Sequence, residues 1–288
     1  MWTSQGLYCE EGGFYIDPMP SRARATLPPL DLAIITHAHS DHARRGSARY
    51  LCEQSGLGLL RSRLGKVEAS GIPYREPIQL GGVSVGFHSA GHILGSAQIR
   101  VQRGNEVWVA SGDYKRDSDP SCEPFEVVKC DTFITEATFG THKFAWPKAQ
   151  QFGKQIIDWW KQNTDAGYNT VVFGYSLGKA QRILAELAPF AEKPVLIHSS
   201  VSALTECYRL EGRVLAPTLD LAQEAAAREL QGEIVLAPPS ALKETWAPAL
   251  GKYKTAFASG WMQGTGRGAE VRAHQALKRT APTTITAL

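Results

Sequence analysis

The stretch IITHAHSDHARRG, residues 34–46, constrains this chain more than any other. Ile34 and Ile35 end an apolar run that reads as a buried strand. His37, His39, Asp41 and His42 then follow within six positions. In an extended segment, residues two apart project to the same side, so His37 and His39 can converge on one point. Asp41 and His42, in a loop or helix start, can converge on a second. Imidazole and carboxylate groups suit zinc, and four of them at this spacing suggest a paired-metal site. Left uncompensated beside a core strand, such a polar set would be costly to bury.

A paired site needs more ligands, and candidates stand at the ends of later apolar runs. His92 lies in SAGHILGS, between Gly91 and Gly95, which permit close backbone approach. Asp113 lies in VASGDYKR, where its carboxylate could bridge two metals. Asp17 ends FYIDP and could hold a ligand-bearing loop in place from behind. Singly, each has an ordinary reading as a turn aspartate or a core histidine. Together with residues 37–42 they form a ligand set.

The 288 residues suffice for one large or two ordinary domains, and 43% hydrophobic with 20% charged residues is ordinary globular composition. The first residues, MWTSQGLYCEEGG, carry neither a basic nor an apolar leader segment, so no signal peptide is expected. No stretch is apolar over the length of a membrane span, so no membrane partner is expected. Cys9, Cys52, Cys122, Cys130 and Cys207 are odd in number, far apart and without a C-x-x-C pair. This points to a reduced, cytoplasmic protein without structural thiolate zinc. The net charge of +3 is too small to indicate nucleic-acid binding by itself. Basic residues do cluster, at Arg22 and Arg24, at Arg44, Arg45 and Arg49, and at Arg61, Arg63 and Lys66. Arg44 and Arg45 directly follow the histidines and could neutralise substrate phosphates; a solvated helix face is the competing reading.

Residues 1 to about 140 read as β-rich, with strands in GGFYIDP, LAIITHAH, VSVGFHSA, AQIRVQ and EVWVASGD. From about 147 the pattern changes. FGKQIIDWWKQ has helical spacing, and Trp159 and Trp160 belong to its core face. TVVFGYSLGKAQRIL, PVLIHSS with SALTECYRL, EIVLAPPS and KTAFASGW are strand-led units, which suggest an α/β domain with a largely parallel sheet. Lys179 sits between strand and helix. It could meet a substrate phosphate at the helix start, or simply belong to a tight turn. The P-loop pattern is absent there. His88, His142 and His198 match no motif, and His198 reads as structural.

The order Asp17, His37-x-His39-x-Asp41-His42, His92, Asp113 resembles the metal-site motifs of the metallo-β-lactamase fold. AGHILGSAQI, SGDYKRD and TEATFG are similar to its β-CASP nuclease branch, in which Glu136 matches the acidic residue of the first additional motif. GYSLGKAQRIL and EIVLAPPS resemble the branch's inserted domain, and the likeness runs from about residue 3 to 263. Within the branch the chain is similar to the bacterial DNA-ligase-associated exonucleases. The resemblance implies an α/β architecture: an αββα sandwich at 1–145, an inserted β-CASP domain at 146–263 and a divergent tail at 264–288. It implies two divalent cations, zinc or else manganese. One would be held by His37, His39 and His92, the other by Asp41, His42 and a bridging Asp113. Asp17, Asp41 and Glu136 would assist catalysis, Glu136 by orienting a neighbouring group or protonating the leaving group. The implied substrate is DNA, with RNA as the alternative. The implied partners are an ATP-dependent DNA ligase and a helicase, in the bacterial cytoplasm near the nucleoid.

The family carries two further histidines after the inserted domain, one in a Ser-Asp-His-type motif and one completing the second metal's shell. Past Trp261 this chain has only His274, which matches neither, so the return strands of the first domain are expected to be lost. A shifted reading frame or a genuine short variant would each account for this. Three other readings stand beside a DNA exonuclease: an RNA-processing nuclease, a small-molecule hydrolase on the same metal fold, and an inactive truncated relative. The strand–helix units after residue 147 argue against the small-molecule hydrolase.

Overall fold

The computed structural model describes residues 2–19, 30–136, 152–244 and 246–258. Arg22, Arg24, His142, Trp261, His274, the tail and any return strands lie outside the described residues. The chain divides into two compact units, Met1–Ala137 and Thr138–Leu288.

The first unit begins with β1 (Trp2–Thr3), β2 (Gly6–Cys9), β3 (Phe14–Ile16), β4 (Leu30–Ile34) and β5 (Ser47–Glu53). Helix α1 (Leu57–Leu64) and β6 (Glu68–Ile72) follow. Then come β7 (Ile78–Leu80), β8 (Val83–Ser89), β9 (Ala97–Arg103), β10 (Glu106–Ala110) and β11 (Thr132–Ile134). One sheet has the order β1-β2-β3-β4-β5-β6 and the other β11-β10-β9-β8-β7. From β3 to β6 neighbours run parallel. In the second sheet only the β10–β11 pair is parallel.

The alternation in these strands decides how the sheets stack. Phe14, Ile16, Leu32 and Ile34 from the first sheet share a core with Val83, Val85, Phe87, Ala97 and Ile99 from the second. The opposite face of the first sheet puts Ala33, Tyr50 and Cys52 against Leu60 and Leu64 of α1. Strand β4 is therefore covered on both faces, which explains why LDLAI is nearly continuous in apolar residues. Helix α1 is the one α-helix of this unit among the described residues.

The second unit opens with α2 (Phe152–Asp165), β12 (Asn169–Phe173) and α3 (Lys179–Leu187). It continues with β13 (Val195–Ile197), α4 (Ser199–Leu210), β14 (Thr218–Asp220) and α5 (Leu221–Ala227). It closes with β15 (Ile234–Ala237) and β16 (Tyr253–Phe257). All pairs in the sheet β14-β13-β15-β12-β16 are parallel, in accord with the strand–helix alternation of the sequence. Short 3-10 turns, rather than an α-helix, join β15 to β16. One face of the sheet packs on α2 and α3 through Ile156, Trp160, Ile183 and Leu187. Trp160 is thus core, and its indole N–H donates to Gly232 O at 2.8 Å. No helix among the described residues is long and apolar enough to cross a membrane.

Candidate metal centre

The ligand-bearing segments all leave the first unit's strands at their carboxyl ends. Asp17 follows β3, His37 follows β4, His92 follows β8, Asp113 follows β10 and Glu136 follows β11. The histidine stretch is not extended. Strand β4 stops at Ile34 and a bend and turn carry residues 36–42. The His39 carbonyl accepts from His42 N at 3.2 Å and Ala43 N at 2.8 Å, which closes the turn. His37 and His39 meet by this bend and not by strand alternation.

Two groups close among the described residues. His37, His39, His92 and Asp113 offer ligand atoms within 4.8 Å of one another, and so do His42, Asp113 and Glu136. In the first group His37 Nε2 lies 2.9 Å from His39 Nδ1, and His92 Nε2 lies 3.3 Å from the same atom. Asp113 Oδ2 stands 3.7 Å from His37 Nε2 and 3.5 Å from His92 Nε2. Ligands 2.0–2.1 Å from a tetrahedral zinc are about 3.3–3.4 Å apart, so these separations span the edges of such a shell. Imidazole lone pairs facing one another this closely repel unless a proton or a cation lies between them. Asp113 Oδ1 is buried without a hydrogen-bond partner and stands 3.2 Å from His42 Nε2. A carboxylate oxygen without a formal hydrogen-bond partner among imidazoles fits a cation, and in the metal-free chain the charge of His42 stands in for one.

Protonation follows from the packing. Burial, and then the neighbouring imidazoles of His42, His39 and His92, push His37 well below the ordinary histidine value. Burial and the nearness of His39 lower His92 to about 4. His42 goes the other way: burial opposes its charge, but pairing with Asp113 and Asp17 carries it up to about 10. Burial works against Asp113 too, yet pairing with His42 and a hydrogen bond from Glu136 hold it well below the usual carboxylate range.

Asp17 lies behind the histidine turn. Its Oδ1 accepts from Thr36 N at 2.8 Å, and its Oδ2 accepts from Thr36 Oγ1 at 2.6 Å and from His42 Nδ1 at 2.7 Å. That bond turns His42 Nε2 toward Asp113. Asp17 itself has φ of 43°, a left-handed conformation that its three tethers hold. Gly91 and Gly95 are used as expected. A Cβ on Gly91 would lie 2.4 Å from Lys115 O, and one on Gly95 would lie 2.2 Å from Gly56 Cα. Asp41 is brought to neither group: its carboxylate is 69% exposed and 3.8 Å from His42 Nε2. Arg44 is half-buried, with its carbonyl accepting from Tyr50 Oη at 3.1 Å. Arg45 is exposed and lays its guanidinium over Gly65 at the end of α1. Lys179 starts α3 in the second unit. The N–H of Gly178 beside it donates to Gln181 Oε1 at 2.8 Å, so this turn is tied to itself. His88 pairs with Glu126 at 2.9 Å, and His198 with Glu244 at 2.8 Å.

Three supporting residues carry no spacing signature: Ser96 and Thr36 were not singled out from sequence, and Arg63 was read only as part of a basic cluster. Ser96 Oγ accepts from His92 N at 3.0 Å and Ile93 N at 3.1 Å, fixing the His92 loop. Arg63 Nε donates to Ala38 O at 3.3 Å, between the two histidines. Thr36 is the most connected. Its buried hydroxyl donates to Asp17 and lies 3.1 Å from His37 Nδ1, which leaves His37 Nε2 free for a metal. The only cue was its position directly before His37. Thr36→Val, which removes the hydroxyl at nearly constant shape, is expected to weaken zinc binding by about 10–100-fold, and Thr36→Ser to stay within a few-fold of the parent. Competition with a chromophoric chelator measures both. Equal affinity in the valine variant would remove Thr36 from the site.

No family model matches the chain. A probable DNA ligase of Opitutus terrae is 29% identical over 91% of this chain, although the match takes in 25% of that relative. The transcription termination factor FttA of Methanocaldococcus jannaschii is 24% identical over 62% of this chain and 33% of its own length. The endoribonuclease YSH1 of Yarrowia lipolytica is 29% identical over 46% of this chain and 16% of its own. These relatives are β-CASP members of the metallo-β-lactamase superfamily, which agrees with the resemblance read from the sequence. This chain spans a third or less of the length of these β-CASP-related proteins. Among solved structures, a protein of unknown function from Enterococcus faecalis matches 78% of this chain and 62% of its own, with TM-score 0.52 and 11% identity. That likeness speaks for the mixed α/β fold alone.

Proposed function

We propose that this chain is a metal-dependent phosphodiesterase of the β-CASP branch acting on nucleic acid, and in the first place a DNA exonuclease working beside DNA ligation. The observation that carries the reading is the sharing of Asp113 between two groups of ligands. Two cations that share a carboxylate are the arrangement an in-line displacement at phosphorus needs. Bound there, divalent cations would lower the pKa of water and neutralise charge on the phosphoryl oxygens. The histidine-rich first group favours zinc, and the mixed second group also suits manganese. The chain's own residues do the positioning. Asp17 and Thr36 set the ring orientations of His42 and His37, and Ser96 fixes the backbone of His92. Arg44, Arg45 and Lys179 would supply cationic contacts to backbone phosphates. In this reading the first unit is the metallo-β-lactamase sandwich, and residues 146–263 form the inserted β-CASP domain. The preference for DNA is supported by the relative named as a DNA ligase, within which the matching region lies. A second reading, an RNA-processing nuclease, is supported by the endoribonuclease among the relatives.

Matched DNA and RNA oligonucleotides, single- and double-stranded and labelled at either end, test both under one metal condition. Stepwise shortening of DNA that EDTA abolishes is the expected result. Faster cleavage of RNA would transfer the proposal to the second reading. No cleavage of either by fully loaded protein would sink both.

A further inference from the structure

We infer that Ser200, in the second unit, is a base-activated nucleophile that works with His198 and Glu244 and takes the acyl group of small carboxylic esters. This goes beyond the phosphodiesterase reading and needs no metal. The sheet supplies the first reason. Strands β13, β15 and β12 are parallel neighbours, so their carboxyl ends share one edge. Ser176 lies three residues past β12, and His198 and Ser200 lie one and three past β13. Glu244 follows the 3-10 turn Pro239–Lys243 after β15. In open parallel sheets this edge is where ligands bind.

Hydrogen bonding supplies the second reason. His198 Nδ1 accepts from Ser200 N at 3.1 Å, so the neutral ring carries its proton on Nε2. That Nε2–H donates to Glu244 Oε2 at 2.8 Å. The Ser200 hydroxyl lies 2.8 Å from Nδ1 and donates to it, and Ser176 Oγ lies 2.9 Å from Ser200 Oγ. One directional chain thus runs from Ser176 through Ser200 and His198 to Glu244. Capping of α4 accounts for the bond from Ser200 N, as Asp220 caps α5. Capping calls neither for a carboxylate on the far ring nitrogen nor for a hydroxyl on the near one. Nucleophile, base and orienting acid in this order are the parts of an activated serine. His198 is buried beside Trp246, with ring centroids 6.5 Å apart, while Ser200 is exposed to an incoming substrate.

The step balances with water as the only further reagent. Ser200 Oγ attacks the ester carbonyl carbon as its proton passes to His198 Nδ1, and Glu244 holds the imidazolium through Nε2–H. Protonated Nδ1 no longer accepts from Ser200 N. The freed N–H and the Ser176 hydroxyl are then the donors beside the developing oxyanion. The bond from carbon to the leaving oxygen breaks, and that oxygen takes the Nδ1 proton and departs as an alcohol. Water next gives a proton to Nδ1 and its hydroxyl to the acyl carbon. The carboxylic acid leaves, and Ser200 Oγ recovers its proton from Nδ1.

A fluorophosphonate, which phosphonylates serine with loss of fluoride, tests this on the full chain with and without EDTA. Turnover of p-nitrophenyl acetate is followed on the same proteins. His198→Asn keeps an acceptor for Ser200 N, and so the α4 cap, but removes the base. Unchanged circular dichroism confirms that it folds. The expected result is one adduct, mapped to Ser200 by peptide mass spectrometry, formed equally in EDTA and absent from Ser200→Ala. His198→Asn should label at least about 100-fold more slowly. Glu244 is a positioning residue, so Glu244→Gln should lower kcat for the ester severalfold and leave KM within about twofold. An unlabelled parent, an adduct on another residue, labelling that EDTA abolishes, or parent-like labelling of folded His198→Asn would each overturn the inference. None of these outcomes bears on the cation groups of the first unit.

Discussion

Asp113→Ala is expected to strip both cation groups at once and to reduce the proposed phosphodiesterase turnover to background. Among the described residues no other ligand belongs to both groups. Its Oδ2 faces His37 and His92, and its Oδ1 faces His42. Removing a ligand that points at one ion should weaken that ion alone, whereas alanine at this position removes one ligand from each. It also removes the negative charge that offsets two dications and four imidazoles in a partly buried pocket. Loss of a single supporting residue around a metal typically costs about 10–100-fold in affinity, so loss of the shared ligand should exceed ~100-fold at both sites. Metal content per chain after dialysis against micromolar zinc is the direct readout. Asp113→Asn, which keeps the shape and loses the charge, should fall between. Circular dichroism should show the fold intact, since the first unit's core of Phe14, Phe87 and Ile99 does not depend on the site. Retention of two ions by the alanine variant would mean that the two groups do not share a ligand.

Much of this centre was legible because its ligands come in short local patterns. A strand that ends at Ile34 and releases three histidines has few ways to satisfy them, and the apolar run marked that strand end plainly. Lone candidates at later strand ends then fell into place, since strand order in a layered fold sends successive carboxyl ends to one side. What the pattern could not give was direction. Asp41 stands one residue from His42, yet the turn at residues 40–42 points its carboxylate outward. Sequence distance in a turn says little about where a side chain goes. Thr36 and Ser96 escaped notice for a different reason. A hydroxyl that holds a ligand in place needs no spacing rule, only contact. Helix α1 was also missed, because LGLLRSRL is eight residues with two arginines in its last turn and one buried face. The short strands β2, β6, β7 and β11 are mostly half-buried, and their alternation is correspondingly faint. In the second unit β12, β13 and β15 were clear because they are buried throughout and read as continuous apolar runs, whereas the half-buried β14 and the short helix α5 after it were not read.

The two cation groups should also part company with pH. A metal binds neutral imidazole, so a histidine that carries a proton must lose it first. His37 and His92 are already neutral at pH 7, the former well below its ordinary value and the latter at about 4. As far as these two ligands decide it, occupancy of the first group should be flat from neutral pH down toward pH 5, and should fall only as pH approaches 4. His42 has the opposite shift. Held at about 10 by Asp113 and Asp17 in the metal-free protein, it is protonated throughout the physiological range. Binding a cation at the second group therefore expels a proton, and its apparent affinity should rise about tenfold per pH unit from pH 5 to pH 8. Over those three units the second site gains about a thousandfold while the first changes little. Zinc dialysis at pH 5, 6, 7 and 8 would show one ion at the acid end and two at the other. Titration of zinc into weakly buffered protein at pH 7 should release about one proton from His42 with the second equivalent. The folding contribution of His42 carries the matching sign. Its raised pKa stabilises the metal-free chain fully below pH 6.5, and the gain is lost as pH climbs through about 10. Acid thus favours the protonated, metal-poor form that competes with the second cation. Parallel pH dependence of the two ions would mean that His42 is not a ligand of the second.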